Sequence, residues 1–250
     1  TGSFGDYSLN SFNIMKNISA MYGGSIETND KHFTEFANKE LNSYKKFPLI
    51  KFLTQSLIFL ILKTISIKLI YKLFFFNLIK KASIQKNLFI LSLVYPSLKF
   101  KKKPFPNYYF TKMNYISKNM IYLQINDVEN FNENHIAKKK NNAYYSKVFK
   151  NKKISNVQTL KNEDSNFQNY NDFPIFVTKK NDLVNYLFSK GVETKTIQYV
   201  DCQKIFKSYK NNNNSIGYEN KIICLPNHKK ITHKYINHVV SCVDMFYKNL

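Results

Sequence analysis

TGSFGDYSLNSFNIMKNISAMYGGSIETND, residues 1–30, is the stretch whose reading decides the fold. Residues 7–12 (YSLNSF) are short, partly alternating and aromatic, which predicts a strand. Residues 25–28 (SIET) predict a second strand, ended by the turn signal Asn29-Asp30. Lys16 lies between the two, ahead of the pair Gly23-Gly24. Ile14-Met15 and Ile18 flank it, so its stem is expected to be partly buried. Desolvation lowers a lysine pKa and yields an amine nucleophile near neutral pH. A strand entering a turn beside glycines is also a place where backbone approaches a phosphorylated ligand. Against this stands the number of lysines in the chain, most of which belong on a solvated face.

The chain has 250 residues, 44% of them hydrophobic, enough for one large or two small cores. Its formal charge is +22 and its pI about 9.7. Such a balance fits a nucleic-acid or anionic-membrane binder. It also fits codon bias: Arg and Trp are absent, while Lys, Asn, Ile, Phe and Tyr abound, as an AT-rich genome writes. A protein selected to grip phosphates draws on Arg, whose planar fork matches them. The charge is therefore read as bias, and no nucleic-acid partner is expected. Cys202, Cys224 and Cys242 form no CxxC pair and read as reduced, structural thiols. His233 and His238 are five apart, and Pro226 separates Cys224 from His228, so no metal site is expected. The chain opens on Thr1 in a Gly-rich turn that belongs inside a domain, which predicts a fragment of a longer protein. The start carries no signal-peptide pattern, which points to a cytoplasmic chain if the true start resembles this one.

Three segments follow: 1–47, 48–103 and 104–250. Residues 31–44 predict a helix with Phe33, Phe36 and Leu41 on one face. Residues 48–98 are strongly apolar, yet Lys51, Lys63, Lys68, Lys72, Lys80, Lys81 and Lys86 interrupt them. The uncharged run from Phe52 to Leu62 is far short of the roughly 20 residues a bilayer span needs. The lysines scatter around a helix instead of forming one polar stripe. This favours a membrane-interfacial helix over a buried helical pair. Residues 99–106 read as a linker, 113–148 as one long helix and 150–172 as a polar loop. Phe173–Val177 is a strand, Asn181-Asp182 offers an N-cap to the next helix, and Gly191 closes that helix. Thr194–Val200 and Ile222–Leu225 are strands, and Asn211–Asn214 is an exposed loop. Thr232 caps a last helix that buries Ile236, Val239, Val240, Val243 and Phe246. The alternation from 104 onward makes an α/β layer domain.

Residues 1–30 resemble the DegT/StrS pyridoxal-phosphate-dependent sugar aminotransferases, whose pattern is GxxGDxxxFSFxxxKxxxxxxGGxxxTxD. Gly2, Gly5, Asp6, Ser11, Phe12, Lys16, Gly23, Gly24, Thr28 and Asp30 fall in register. FPIFVTKKNDLVNYLFSKGVET (173–194) and KIICLPNHKKITHKYINHVV (221–240) are similar to the family's closing segments, and Met113, Gln124 and Tyr144-Tyr145 match more loosely. Residues 48–103 then stand as an insertion and linker. The resemblance implies the C-terminal part of a fold-type I transferase: the end of the large cofactor-binding domain over 1–47, and a small α/β domain over 104–250. It implies that Lys16 is catalytic and binds pyridoxal 5'-phosphate as a Schiff base, and that Ser11 hydrogen-bonds the cofactor phosphate. It implies a nucleotide-sugar substrate, an amino-acid donor (usually glutamate), a homodimer and a role in surface glycan synthesis. His228, in the LPxH segment, is expected to be structural. Phe110-Thr111-Lys112-Met113 stands where the family often has Asn-[Tyr/Phe]-Arg-Met, so a cross-subunit phosphate contact by Asn is not expected. The family's remaining cofactor contacts precede this motif. The 250 residues alone are therefore expected not to hold the cofactor tightly. A second reading keeps the scaffold without the chemistry, as a basic membrane- or nucleic-acid-binding protein. Through 48–98 a peripheral membrane association at the inner face is also open.

Overall fold

The computed structural model describes residues 5–13, 16–85, 87, 89–91, 111–160, 171–195 and 217–250. The linker 99–106, the loop Asn211–Asn214 and most of the strand expected over Thr194–Val200 lie outside the described residues. The chain forms two compact units, each built from two separate segments. The first comprises Thr1–Tyr71 and Lys101–Asn132, the second Lys72–Phe100 and Glu133–Leu250. The apolar segment 48–98 is thus shared between them.

In the first unit, β1 (Tyr7–Ser11) and β2 (Gly24–Thr28) pair antiparallel, with Tyr7 opposite Thr28 and Ser11 opposite Gly24. Thr28 and Asp30 shape the exit. The Thr28 hydroxyl accepts from the Asp30 N–H at 3.0 Å, and the Asp30 carboxylate accepts from the Phe33 N–H at 3.0 Å. That caps α1 (Lys31–Ser43). Tyr7 donates to the same carboxylate at 2.7 Å. This bond, with the Phe33 N–H, holds the Asp30 carboxyl below its usual range. The face expected to bury α1 stays outside: Phe36 is 60% and Leu41 43% exposed, because no described residue packs over them deeply enough to bury any position of the helix. β3 (Lys45–Lys46) pairs parallel with β4 (Thr111–Lys112). α2 (Leu49–Ile65) follows, then α3 (Lys68–Ile70) and a π-helical turn from Tyr71 to Phe75. The core of this unit is Met21, Tyr22, Phe47 and Phe52, with Phe59, Met113 and Met120 against it. Tyr22 stacks on Phe47 at 3.7 Å between centroids.

The single helix expected over 113–148 is two. α5 (Tyr115–Asn126) starts where the Asn114 side chain accepts from the Ser117 N–H at 2.8 Å. It ends at Asp127, whose ψ of 58° leaves the helical region, and α6 (Val128–Lys152) follows. α6 runs into the polar segment expected to be loop, and β5 (Val157–Thr159) follows it there.

The second unit holds the antiparallel sheet β5-β6-β7, with β6 at Phe173–Val177 and β7 at Ile222–Leu225. Phe173, Ile175 and Val177 point inward in strict alternation. Pro174 is tolerated in this central strand because β5 pairs only with Ile175 to Val177. Lys195 makes an isolated bridge to Cys224, the described start of the expected strand. α4 (Phe76–Ile84) and α7 (Lys180–Ser189) pack together, with Phe76 and Phe188 at 6.0 Å. α7 starts two residues earlier than the Asn-Asp signal: Lys179, at φ 49°, turns the chain, and Asp182 sits inside the first turn. There its charge complements the exposed N–H groups. Gly191, at φ 79°, closes α7. α8 (His233–Lys248) is capped by Thr232, whose hydroxyl accepts from the Tyr235 N–H at 3.2 Å. Ile236, Val239, Val240 and Val243 are fully buried and Phe246 nearly so, the face expected from their spacing. Cys224 and Cys242 are buried in this core.

Candidate functional site

Lys16 lies on the loop 12–23 that joins β1 to β2. Three features pin this loop. At its base, the Phe12 N–H donates to the Gly23 carbonyl at 2.9 Å, and the Ala20 N–H to the Phe12 carbonyl at 2.8 Å. At its back, the Gln124 side-chain amide reads Ser19 twice: it accepts from the Ser19 N–H at 2.9 Å and donates to the Ser19 carbonyl at 2.6 Å. Beyond that, Met21 and Tyr22 enter the core, and the Tyr22 hydroxyl accepts from the Asn114 N–H at 2.9 Å. Met21 is held at φ 70°, a conformation costly for a side-chain-bearing residue. Burial of its side chain in the core offsets that cost.

Lys16 itself is exposed. The expected burial of its stem does not hold in this chain: Ile18 is only half-buried, and Ile14 and Met15 lie outside the described residues. The Lys16 N–H donates to the Asn13 carbonyl at 2.9 Å, closing a tight turn that carries the side chain outward. Ser11, the last residue of β1, is exposed too. The glycine pair lies against the protein's own atoms. A Cβ on Gly23, at φ 96°, would lie 2.6 Å from Met113 Sδ, and one on Gly24 would lie 2.5 Å from the Asn10 carbonyl oxygen. The space above both glycines is thus filled by the protein itself. A side chain at either position would collide with it, so loop closure requires glycine at both. Lys16 offers an exposed primary amine on the loop, and Ser11 an exposed hydroxyl at the end of the strand that enters it; an aldehyde-bearing phosphate ester needs one of each for attachment and anchoring. These two groups match the chemistry of pyridoxal phosphate at its aldehyde and its phosphate.

Sequence reasoning missed Asn114 and Tyr22, and gave Gln124 no task. The signal for the last was its register with the family, but the contact spans 105 positions. Lys112, in the position of the family's Arg, turns its ammonium to the Asn42 carbonyl at 3.4 Å, and Phe110 lies outside the described residues. The LPxH segment is held by α6. Tyr145 donates to the Pro226 carbonyl at 3.1 Å, Asn141 to the His228 carbonyl at 3.1 Å, and Asn227 to Asn142 Oδ1 at 2.7 Å. Desolvation, with Lys230, Lys195 and Lys138 nearby, holds the His228 ring below its usual pKa. The His228 ring is held as well, its Nδ1 accepting from the Lys230 N–H at 3.3 Å.

No curated protein matches the chain by sequence. Among solved structures, DesI in the presence of its TDP-sugar product superposes with TM-score 0.61 at 14% identity, covering 98% of this chain and 50% of DesI. Helicobacter pylori PseC, an aminotransferase involved in the biosynthesis of pseudoaminic acid, gives 0.59 at 15%, covering 99% and 54%. E. coli GDP-4-keto-6-deoxy-D-mannose-3-dehydratase with bound hydrated PLP gives 0.60 at 14%, covering 97% and 55%. The chain thus spans about half the length of these neighbours, and the likeness establishes the fold: the mixed α/β architecture of the C-terminal part of such transferases. Residues 102–244, more than half of the chain, match a family by sequence pattern as well. Fold and pattern agree, and the chain belongs to the DegT/DnrJ/EryC1/StrS aminotransferase family.

Proposed function

We propose that this chain is the lysine-bearing part of a pyridoxal-phosphate-dependent aminotransferase acting on a nucleotide-linked keto sugar, with an amino acid, glutamate, as donor. The observation that carries the reading is the pinned loop: Lys16 stands exposed on it and Ser11 exposed at the end of the strand entering it, while Phe12 and Gly23 close its base and Gln124 holds Ser19. When bound, the cofactor supplies an electron sink for a developing carbanion. Lys16 Nζ would hold it and then, once freed by the donor, carry a proton to and from the reacting carbon. Ser11 Oγ would donate to the phosphate. Gln124 and the Phe12–Gly23 closure hold the two ends of the loop that carries Lys16, which would favour a fixed position for its backbone during proton transfer. The sugar substrate rests on family membership and on DesI, which was solved with its TDP-sugar product. A homodimer and a place in surface glycan synthesis belong to the same reading.

The test uses the full-length protein. Incubation with pyridoxal phosphate, borohydride reduction and peptide mass spectrometry should place a covalent adduct on Lys16. Lys16→Ala should lose both the adduct and transamination while keeping its circular dichroism spectrum. Persistent turnover, or an adduct on another lysine, would remove Lys16 from the role.

A further inference from the structure

The hairpin of the first unit turns its apolar side outward. Side chains alternate along a strand, and directly opposed residues share a face. The register therefore puts Tyr7, Leu9 and Ser11 on one face with Gly24, Ile26 and Thr28. That face is the solvent side: Leu9 is 79% exposed, and Tyr7 and Ile26 are each 50% exposed. Ser8, Asn10, Ser25 and Glu27 form the other face, with no apolar residue among them. There the Asn10 amide donates to the Glu27 carboxylate at 2.7 Å. A sheet that leaves one face to water has the reverse arrangement.

Helix α1 extends the patch. Phe33, Phe36, Ala37 and Leu41 lie on one half of its circumference, with Glu40 the one charge among them, while Lys31, Glu35, Asn38 and Asn42 stand on the opposite half. The Phe33 ring meets the Tyr7 ring edge-on at 5.0 Å, which joins the helix stripe to the sheet face. No residue of α1 is buried. Among the described residues β1 and β2 pair only with each other, so the hairpin presents two open edges. A lone two-stranded ribbon is marginal in water. The core of its unit, Met21, Tyr22, Phe47 and Phe52, contains no residue of either strand or of α1.

We propose that this outward face is the seat of the other half of a family transferase, a body of about the chain's own size that adds strands to both hairpin edges and covers the apolar side. Two observations choose this occupant. The chain spans about half the length of its structural neighbours. The hairpin also needs strand partners and apolar cover together. A second copy meets one need at a time: face to face it covers the side chains, and edge to edge it pairs a strand. Ser11 stands at the end of the same face, so the covering half sits beside the phosphate anchor and shields it from water. The proposal rests on the aminotransferase reading for that last point alone.

The test uses the full-length protein. Leu9→Cys, labelled with benzophenone maleimide and irradiated, should join to a peptide encoded upstream of Thr1, as read by mass spectrometry. Asn38→Cys, on the polar half of α1, should give no such product. A second measurement needs no substitution. A lone antiparallel ribbon leaves alternate amides unpaired, whereas strands added at both edges should protect all the amides of β1 and β2 from hydrogen exchange by at least about tenfold over the unstructured rate. Cross-links from position 9 confined to residues 1–250, of the same molecule or a second copy, overturn the proposal. So does the absence of any cross-link, or protection of alternate amides only. The borohydride adduct on Lys16 fails separately: its loss with the cross-link intact removes the chemistry and leaves the cover standing.

Discussion

Replacing Gln124 with Leu removes the clamp on the Lys16 loop at nearly constant volume. Two hydrogen bonds to Ser19 are lost, at 2.9 and 2.6 Å. Ser19 is half-buried, so water can reach its backbone once the loop moves, and the ordinary net value of about 1 kcal/mol per bond applies rather than the larger penalty of a sealed group. The loop should then open more easily by about 2 kcal/mol, roughly thirtyfold in its opening equilibrium. Amide hydrogen exchange reads this directly. The N–H groups of Ser19 and Ala20 should exchange roughly thirtyfold faster. Those of β6 and β7 in the second unit should not change. Asn119→Ala, exposed on the same helix and remote from the clamp, should leave the loop as it was. Loop exchange within about twofold of the parent would refute the clamp. Uniform acceleration through residues 173–250 would show that the substitution acts by general unfolding instead.

Other outcomes follow from the same contacts. Gly24→Ala should lower thermal stability by at least about 2 kcal/mol, because its new Cβ meets the Asn10 backbone oxygen and one strand must shift; a calorimetric scan measures it. Asn227→Leu should cost about 3 kcal/mol in urea unfolding, since Asn141, Asn142 and the Lys138 carbonyl lose a buried partner together. Asp244 carries a pH dependence. Burial opposes its charge, but hydrogen bonds from Lys248 and Lys152, each 3.1 Å, outweigh this and hold the carboxyl below its usual range. A depressed folded value means the contribution is present above the unfolded carboxylate pKa of about 3.9 and is lost as pH falls through the folded one. Asp244→Asn should therefore destabilise by about 1 kcal/mol at neutral pH, a modest figure because both lysines are partly exposed and screened. It should flatten the loss of stability below pH about 4 in acid titrations followed by circular dichroism.

The parts legible in the sequence were those whose cause is local. Thr232 and the spacing of Ile236, Val239, Val240 and Val243 define α8, and the Asn29-Asp30 turn with a Thr two residues earlier defines the end of β2. The family pattern singled out Lys16 as the expected Schiff-base lysine, and its place on the β1–β2 loop follows from the two local strands. What stayed hidden depends on distant partners. β5 is three residues in a polar segment and exists because β6 offers it an edge. The roles of Gly23 and Gly24 depend on what lies above them, and Met113 is ninety positions from Gly23. The inward face of α2 could not be read because apolar residues occur all round it; Phe52 and Phe59, packed in the core, show which side turns inward.

The interleaved units also set a timetable for synthesis. The first unit has all its residues once position 132 has been made, whereas Lys72–Phe100 belongs with Glu133–Leu250. At roughly 10 residues per second, the early segment waits about fifteen seconds for the rest of its unit. During that time Ile79, Ala82 and Leu91, all buried in the finished fold, have no core to enter. A ribosome-bound chain of this length of delay is a natural client for a holding chaperone, and slowing translation after residue 100 should lengthen that engagement.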